Sequence, residues 1–239
     1  GNRAGNPVND IFVYYATIGG GQNNIASSTF STISGGGGNN IIGMGGFIGG
    51  GTFNQVSDSG STICGGTNNY VNGIGSTICG GGYNNTEGIG NTISGGKDNN
   101  TNGDYSTISG GSTNQAYSQG TSIGGGYLNL SGGVYSTISG GYGNETNGDY
   151  STVAGGTSNQ SSGAYSTIGG GYDNTSSFDY ATVAGGYLNQ STGNASTVGG
   201  GSTNTSSSDS STVSGGYNNT ASAIGSTVPG GLNNVASGI

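Results

Sequence analysis

The chain has 239 residues, of which 58 are Gly, 28% are hydrophobic and only 5% are charged. Ordinary globular chains are about 25% charged and 45–50% apolar, so a conventional multilayer core is excluded. Arg3 and Lys97 are the only basic side chains and there is no His. That excludes a nucleic-acid footprint, and no apolar run is long enough for a membrane span. Low apolar content would suggest disorder, but disorder comes with high charge, which is missing. A Gly/Ser-rich linker remains, and the order of the residues decides against it.

An Ile/Val column begins at Ile18 and recurs every 15 residues through Ile33, Ile48 and Ile63 to Val228. Two residues after each member comes Gly-Gly (Gly20-Gly21 to Gly230-Gly231), and six residues after each comes Asn (Asn24 to Asn234). The same phase runs backwards, placing Gly5 and Asn9 in a repeat centred on Arg3. A flexible linker has no reason to hold register over such a length. The strict period predicts an all-β parallel β-solenoid (a β-roll) over residues 1–239. It has 15 residues per coil, about 16 coils spaced by about 4.8 Å, and forms one domain.

Within a coil, Tyr165-Ser166-Thr167-Ile168 alternates as a short strand does. Ile168 and Ser166 face inward, and Thr167 and Tyr165 outward. Gly170-Gly171 turns the chain, because Gly takes positive φ without steric cost. Asn174 then bonds nearby backbone and stacks with its equivalents as an amide ladder. A second strand carries the column eight residues after the Ile: Ala26, Ile41, Val56, Val71, then mainly Ser and Thr. A second turn follows, often with Gly, giving a flattened two-strand roll. Asp104, Asp149, Asp179 and Asp209 share one column but never occupy adjacent coils, where like charges would repel.

Tyr150-Ser-Thr-Val-Ala-Gly-Gly-Thr-Ser-Asn159 and Tyr180-Ala-Thr-Val-Ala-Gly-Gly-Tyr-Leu-Asn189 resemble the head repeats of trimeric autotransporter adhesins. They are also similar to Gly-rich repeats of tail-fibre and bacterial surface proteins. The resemblance implies a left-handed roll, often trimeric, that serves in surface attachment or fibre formation. The period here is longer than the usual adhesin repeat. The neck, coiled coil and anchor that follow adhesin heads do not appear in this stretch.

Several columns are candidate sites. Sequons for N-glycosylation stand at Asn84, Asn99, Asn129, Asn144, Asn159, Asn174, Asn189 and Asn204, and outside that column at Asn194 and Asn218. The turn alone also explains the column, since seven repeats keep the Asn without the sequon. Tyr105, Tyr135, Tyr150, Tyr165 and Tyr180 form one aromatic rank, with Phe30 in the same column. Tyr127, Tyr142, Tyr172, Tyr187 and Tyr217 form another. Both ranks suit ladder stacking, lateral contact between rods or sugar binding. Cys64 and Cys79 occupy one column in adjacent coils, within disulfide reach or simply as small residues. Thirteen Thr residues from Thr17 to Thr227 form an outward rank that invites an ice-binding reading. Catalysis, metal and cofactor have no candidates: a His base is absent, the carboxylates are scattered and no phosphate loop is complete.

The expected function is a structural subunit of an extracellular filament or surface fibre. Open solenoid edges would stack end to end, since 16 coils of 15 residues nearly equal the chain length. The expected partner is the chain itself, as a polymer or trimer. The alternative is an adhesin head or viral tail-fibre segment that binds glycans or a cell surface, and an ice-binding protein is a third reading. The expected location is extracellular or at the cell surface.

Overall fold

A computed structural model describes residues 1–5 and 13–238. The chain divides into two compact units, Gly1–Tyr117 and Ser118–Ile239. Each is a parallel β-solenoid with the expected 15-residue coil, and no helix occurs among the described residues.

Every coil contributes two short strands, one to each of two parallel sheets. In the first unit Thr32–Ile33 and Asn40–Ile41 are examples, and Thr62–Ile63 pairs in register with Thr77–Ile78. In the second unit Thr167–Ile168 pairs with Thr182–Val183, and Thr175–Ser176 with Gln190–Ser191. Alternate peptide groups point to the coil before and the coil after. Thr137 N–H donates to Ser151 O at 2.9 Å in the following coil, whereas Tyr150 N–H donates to Val134 O at 2.8 Å in the preceding one. The roll also has a third ladder, so it is more than two-stranded. Single-residue bridges run Gln22↔Gly37↔Thr52 in the first unit and Tyr172↔Tyr187↔Ser202 in the second.

The core is a file of side chains between the sheets. Ile33 through Ile108 in the first unit, and Ile123 through Val213 in the second, are fully buried along the Ile/Val column. The opposing column differs between units. Ala26, Ile41, Val56 and Val71 make it aliphatic at the start of the first unit. In the second unit hydroxyls fill it from Ser131 to Ser206, ahead of Ala221, and several bond the inward Ser of their own coil: Ser161 Oγ lies 2.6 Å from Ser166 Oγ, and Ser206 Oγ lies 2.7 Å from Ser211 Oγ. A buried hydroxyl with a partner costs little, whereas one without costs about 1–3 kcal/mol. Ser136 takes Thr146 Oγ1 at 3.0 Å as well as Ser131 Oγ at 2.7 Å. Thr86 and Thr101 of the first unit are buried with their hydroxyls unpaired.

Two positions per coil hold φ near +60°, at the corners beside the third ladder and after the second turn. Among the described residues, all 22 non-Gly residues with positive φ fall in these two columns, including Tyr135, Tyr150, Tyr165 and Tyr180. Such a conformation is costly for a bulky residue, on the order of 1–3 kcal/mol, and persists when the neighbours over-determine it. Here each corner is tied to the coil before: Tyr165 N–H donates to Asp149 O and Tyr180 N–H to Ala164 O.

The phase changes at the start of the chain. Arg3–Ala4 pairs with Ile25–Ala26, in the second sheet rather than the Ile column. Asn2 supplies the first rung of the Asn ladder: its Oδ1 accepts from Asn24 N–H at 3.2 Å across 22 residues. The backward extension through Arg3 is therefore corrected, because the pairing of Arg3 with Ile25 is seven residues out of phase with the repeat. Asn9 lies outside the described residues.

Candidate functional site

The Asn column is the spine of each unit. Asn159 Nδ2 donates to Gly155 O in its own coil and to Gly171 O in the next, both at 3.0 Å. Its backbone N–H donates to Asn144 Oδ1 at 3.0 Å. Asn54 repeats the pattern in the first unit, with Nδ2 donating to Gly50 O and Gly66 O. The second Gly of each Gly-Gly pair follows from this packing. Gly156 has φ +89°, and a Cβ on it would stand 2.2 Å from Gly171 O. Only Gly lets successive coils close to hydrogen-bonding distance there.

This spine decides the fate of the sequons. Asn84, Asn99, Asn129, Asn144, Asn159, Asn174, Asn189 and Asn204 are all buried, none more than 1% exposed. A glycan would replace a hydrogen on a donor that holds two coils together, and would have to leave from a buried atom. Glycosylation at these eight positions and this fold exclude each other. The Ser or Thr two residues later is equally buried, as at Ser131 and Ser191, and serves as core. Asn194 and Asn218 are exposed. Asn218 Nδ2 donates to Asn233 Oδ1 at 2.8 Å across the coils.

The tyrosines cluster on the second unit. In the first rank Tyr135–Tyr150, Tyr150–Tyr165 and Tyr165–Tyr180 have ring centroids 5.5, 4.9 and 5.2 Å apart, and the last two pairs are parallel to within 3°. Gly120 begins this stack: a Cβ there would strike the Tyr135 ring at 2.3 Å. Tyr105 lies in the first unit, where Gly90 leaves the same space for its ring. Phe30 stacks on Tyr15 at 5.4 Å. In the second rank Tyr172 stacks on Tyr187 at 5.4 Å, Tyr127 and Tyr142 are tilted at 36°, and Tyr217 is exposed. Ring faces in the stack cover one another and leave edges and hydroxyls to solvent. A sugar ring that needs an open aromatic face finds none between Tyr150 and Tyr165.

A carboxylate rank flanks the first tyrosine rank. Asp149 Oδ1 accepts Val134 N–H at 2.9 Å, and Asp179 Oδ1 accepts Ala164 N–H at 2.9 Å, each from the coil before. Asp104 does the same for Ile89 N–H in the first unit at 2.8 Å. These aspartates staple corners whose peptide N–H groups would otherwise face solvent. The amide staple is a role the spacing of the acids alone did not reveal.

Cys64 and Cys79 are free thiols on exposed residues of neighbouring coils, with no disulfide between them. Partial burial pushes the Cys64 thiol above its usual range, with the charge and hydrogen bond of Cys79 adding to the effect. The Thr rank is in register and half-exposed for the most part. It runs unbroken through Thr152, Thr167, Thr182 and Thr197 in the second unit. Among the described residues no three metal-ligating side chains converge, and no helix is long and apolar enough to cross a membrane. A scan against protein-family models finds no match, and a search of curated proteins finds none either.

Proposed function

We propose that the chain is a structural element of an extracellular or surface fibre, extended by stacking coil on coil. The observation that carries this reading is the sameness of the coil edges. From Thr17 onward, each coil in a unit meets its neighbours with the same donors, acceptors and Asn rung, in the same register. Any free edge of such a stack offers the groups that interior coils spend on each other, and the opposite edge of a second copy matches them. A contact of this kind does not close on itself and yields a filament. The outward tyrosine edges are the candidate surfaces for side-by-side packing of filaments, with the chain itself as partner.

Negative-stain electron microscopy of the purified protein across a concentration series tests the proposal. Unbranched filaments that lengthen with concentration, with a meridional spacing of about 4.8 Å in fibre diffraction, are the expected result. Discrete particles at every concentration would overturn it.

A further inference from the structure

We propose that the stack Tyr135–Tyr150–Tyr165–Tyr180 is a site of oxidative tyrosine cross-linking, which joins successive coils of one chain by carbon–carbon bonds. The inference stands apart from the fibre reading.

Three observations carry it. The central rings are stacked neighbours, with centroids 4.9 and 5.2 Å apart and planes parallel to within 3°. The four side chains are about half exposed, so an oxidant reaches the phenols without unfolding the coil. The backbone beneath them is fixed coil to coil, so the rings meet at this separation continually rather than by diffusion. In a phenoxyl radical the unpaired electron lies in the ring π system and is concentrated at oxygen and the ortho carbons. New bonds at an ortho carbon therefore form perpendicular to the ring. Parallel stacking turns the faces of two such rings toward each other, so the direction in which the new bond forms runs from one ring toward the next.

The chemistry balances with a peroxide and a one-electron peroxidase as oxidant. Each of two phenols loses one electron and its phenolic proton. The two radicals couple, ortho carbon to ortho carbon. Each ring then loses its ortho hydrogen as a proton and regains a proton on oxygen, which restores two aromatic phenols. The net loss is two electrons and two protons, and hydrogen peroxide takes them up to leave two water molecules. A tyrosine without a stacked partner has no second radical at hand and couples only when chains collide.

The test uses the whole chain, dilute, with a peroxidase and hydrogen peroxide. The readouts are dityrosine fluorescence, denaturing electrophoresis and mass-spectrometric mapping of cross-linked peptides. The expected result is fluorescence in a band that still migrates as one chain, with links mapped between Tyr150 and Tyr165 and between Tyr165 and Tyr180. Tyr165→Phe keeps a stacking ring but removes a phenol from two of the rank's three close pairs. The yield of links mapped within this rank falls by at least half, whereas Tyr217→Phe leaves it unchanged. Links found only between chains, links at unstacked tyrosines such as Tyr70 and Tyr83 in preference to the rank, or no links at all would overturn the proposal.

Discussion

Asn174 donates its backbone N–H to the side-chain Oδ1 of Asn159, at 3.0 Å and out of contact with water. One amide thus replaces a strand: it satisfies its own coil, the coil before and the coil after. Replacing Asn159 by Ala removes two donors and leaves the Asn174 N–H buried without a partner. A loss of about 3–5 kcal/mol of stability is expected. Asn159→Asp costs more, because a carboxylate would face the Gly155 and Gly171 carbonyls that the amide now donates to. Urea or thermal unfolding of the two variants, compared with the parent, checks the order.

Two glycines with positive φ separate strain from collision. Gly225 has φ +65° and nothing within 4 Å of a built Cβ, so Gly225→Ala loses about 1 kcal/mol from backbone strain. Gly156→Ala meets the Gly171 carbonyl as well and forces the coils apart. Its loss is several-fold larger and spreads into neighbouring coils. Amide hydrogen exchange resolves this as deprotection of the coils on both sides of Gly156.

Expression in a host that glycosylates secreted proteins gives a third prediction. Folded protein carries glycan at Asn194 and Asn218 and not at the eight buried sequons. Glycopeptide mapping of the folded fraction reads this directly, and sugar at Asn159 or Asn174 in that fraction would contradict the spine described above.

Cys64 supplies a pH-dependent readout. The thiolate is the reactive form, so a raised thiol reacts more slowly than a free thiol at neutral pH, and its rate climbs at higher pH. Cys79→Ala removes the neighbouring charge and the thiol hydrogen bond but not the partial burial. The pH profile for alkylation of Cys64 therefore moves to lower pH while staying above that of a free thiol. Mapped iodoacetamide labelling between neutral and alkaline pH measures both profiles.

The register of the fold was legible because the three columns of Ile/Val, Gly-Gly and Asn recur without exception, and one-dimensional stacking turns sequence phase directly into contact. The inward pair Ile168 and Ser166 and the outward pair Thr167 and Tyr165 follow from strand alternation and hold in the structure. What the pattern concealed was the direction of side-chain bonds. A sequon and a buried amide spine are the same letters, and only the atoms that Asn159 Nδ2 reaches tell them apart. The corner at Tyr165 was hidden in another way. Gly45, Gly60 and Gly120 share its column, and their mixture with tyrosine marks a left-handed position where aromatic stacking offsets backbone strain. The entry of Arg3 into the second sheet breaks phase, so no extrapolation of the period reaches it.

Register also makes length a quantised property. Removal of fifteen consecutive residues from within a unit joins one coil to the next but one, and every column closes over the gap with its own kind. Removal of a single residue leaves one coil short, with Ile in the place of Thr or Asn in the place of an exposed corner, so that coil loses its rungs to both neighbours. Such a gene is free to grow or shrink by whole coils and is held rigid against anything smaller, so its lengths form a ladder with the same step as the protein.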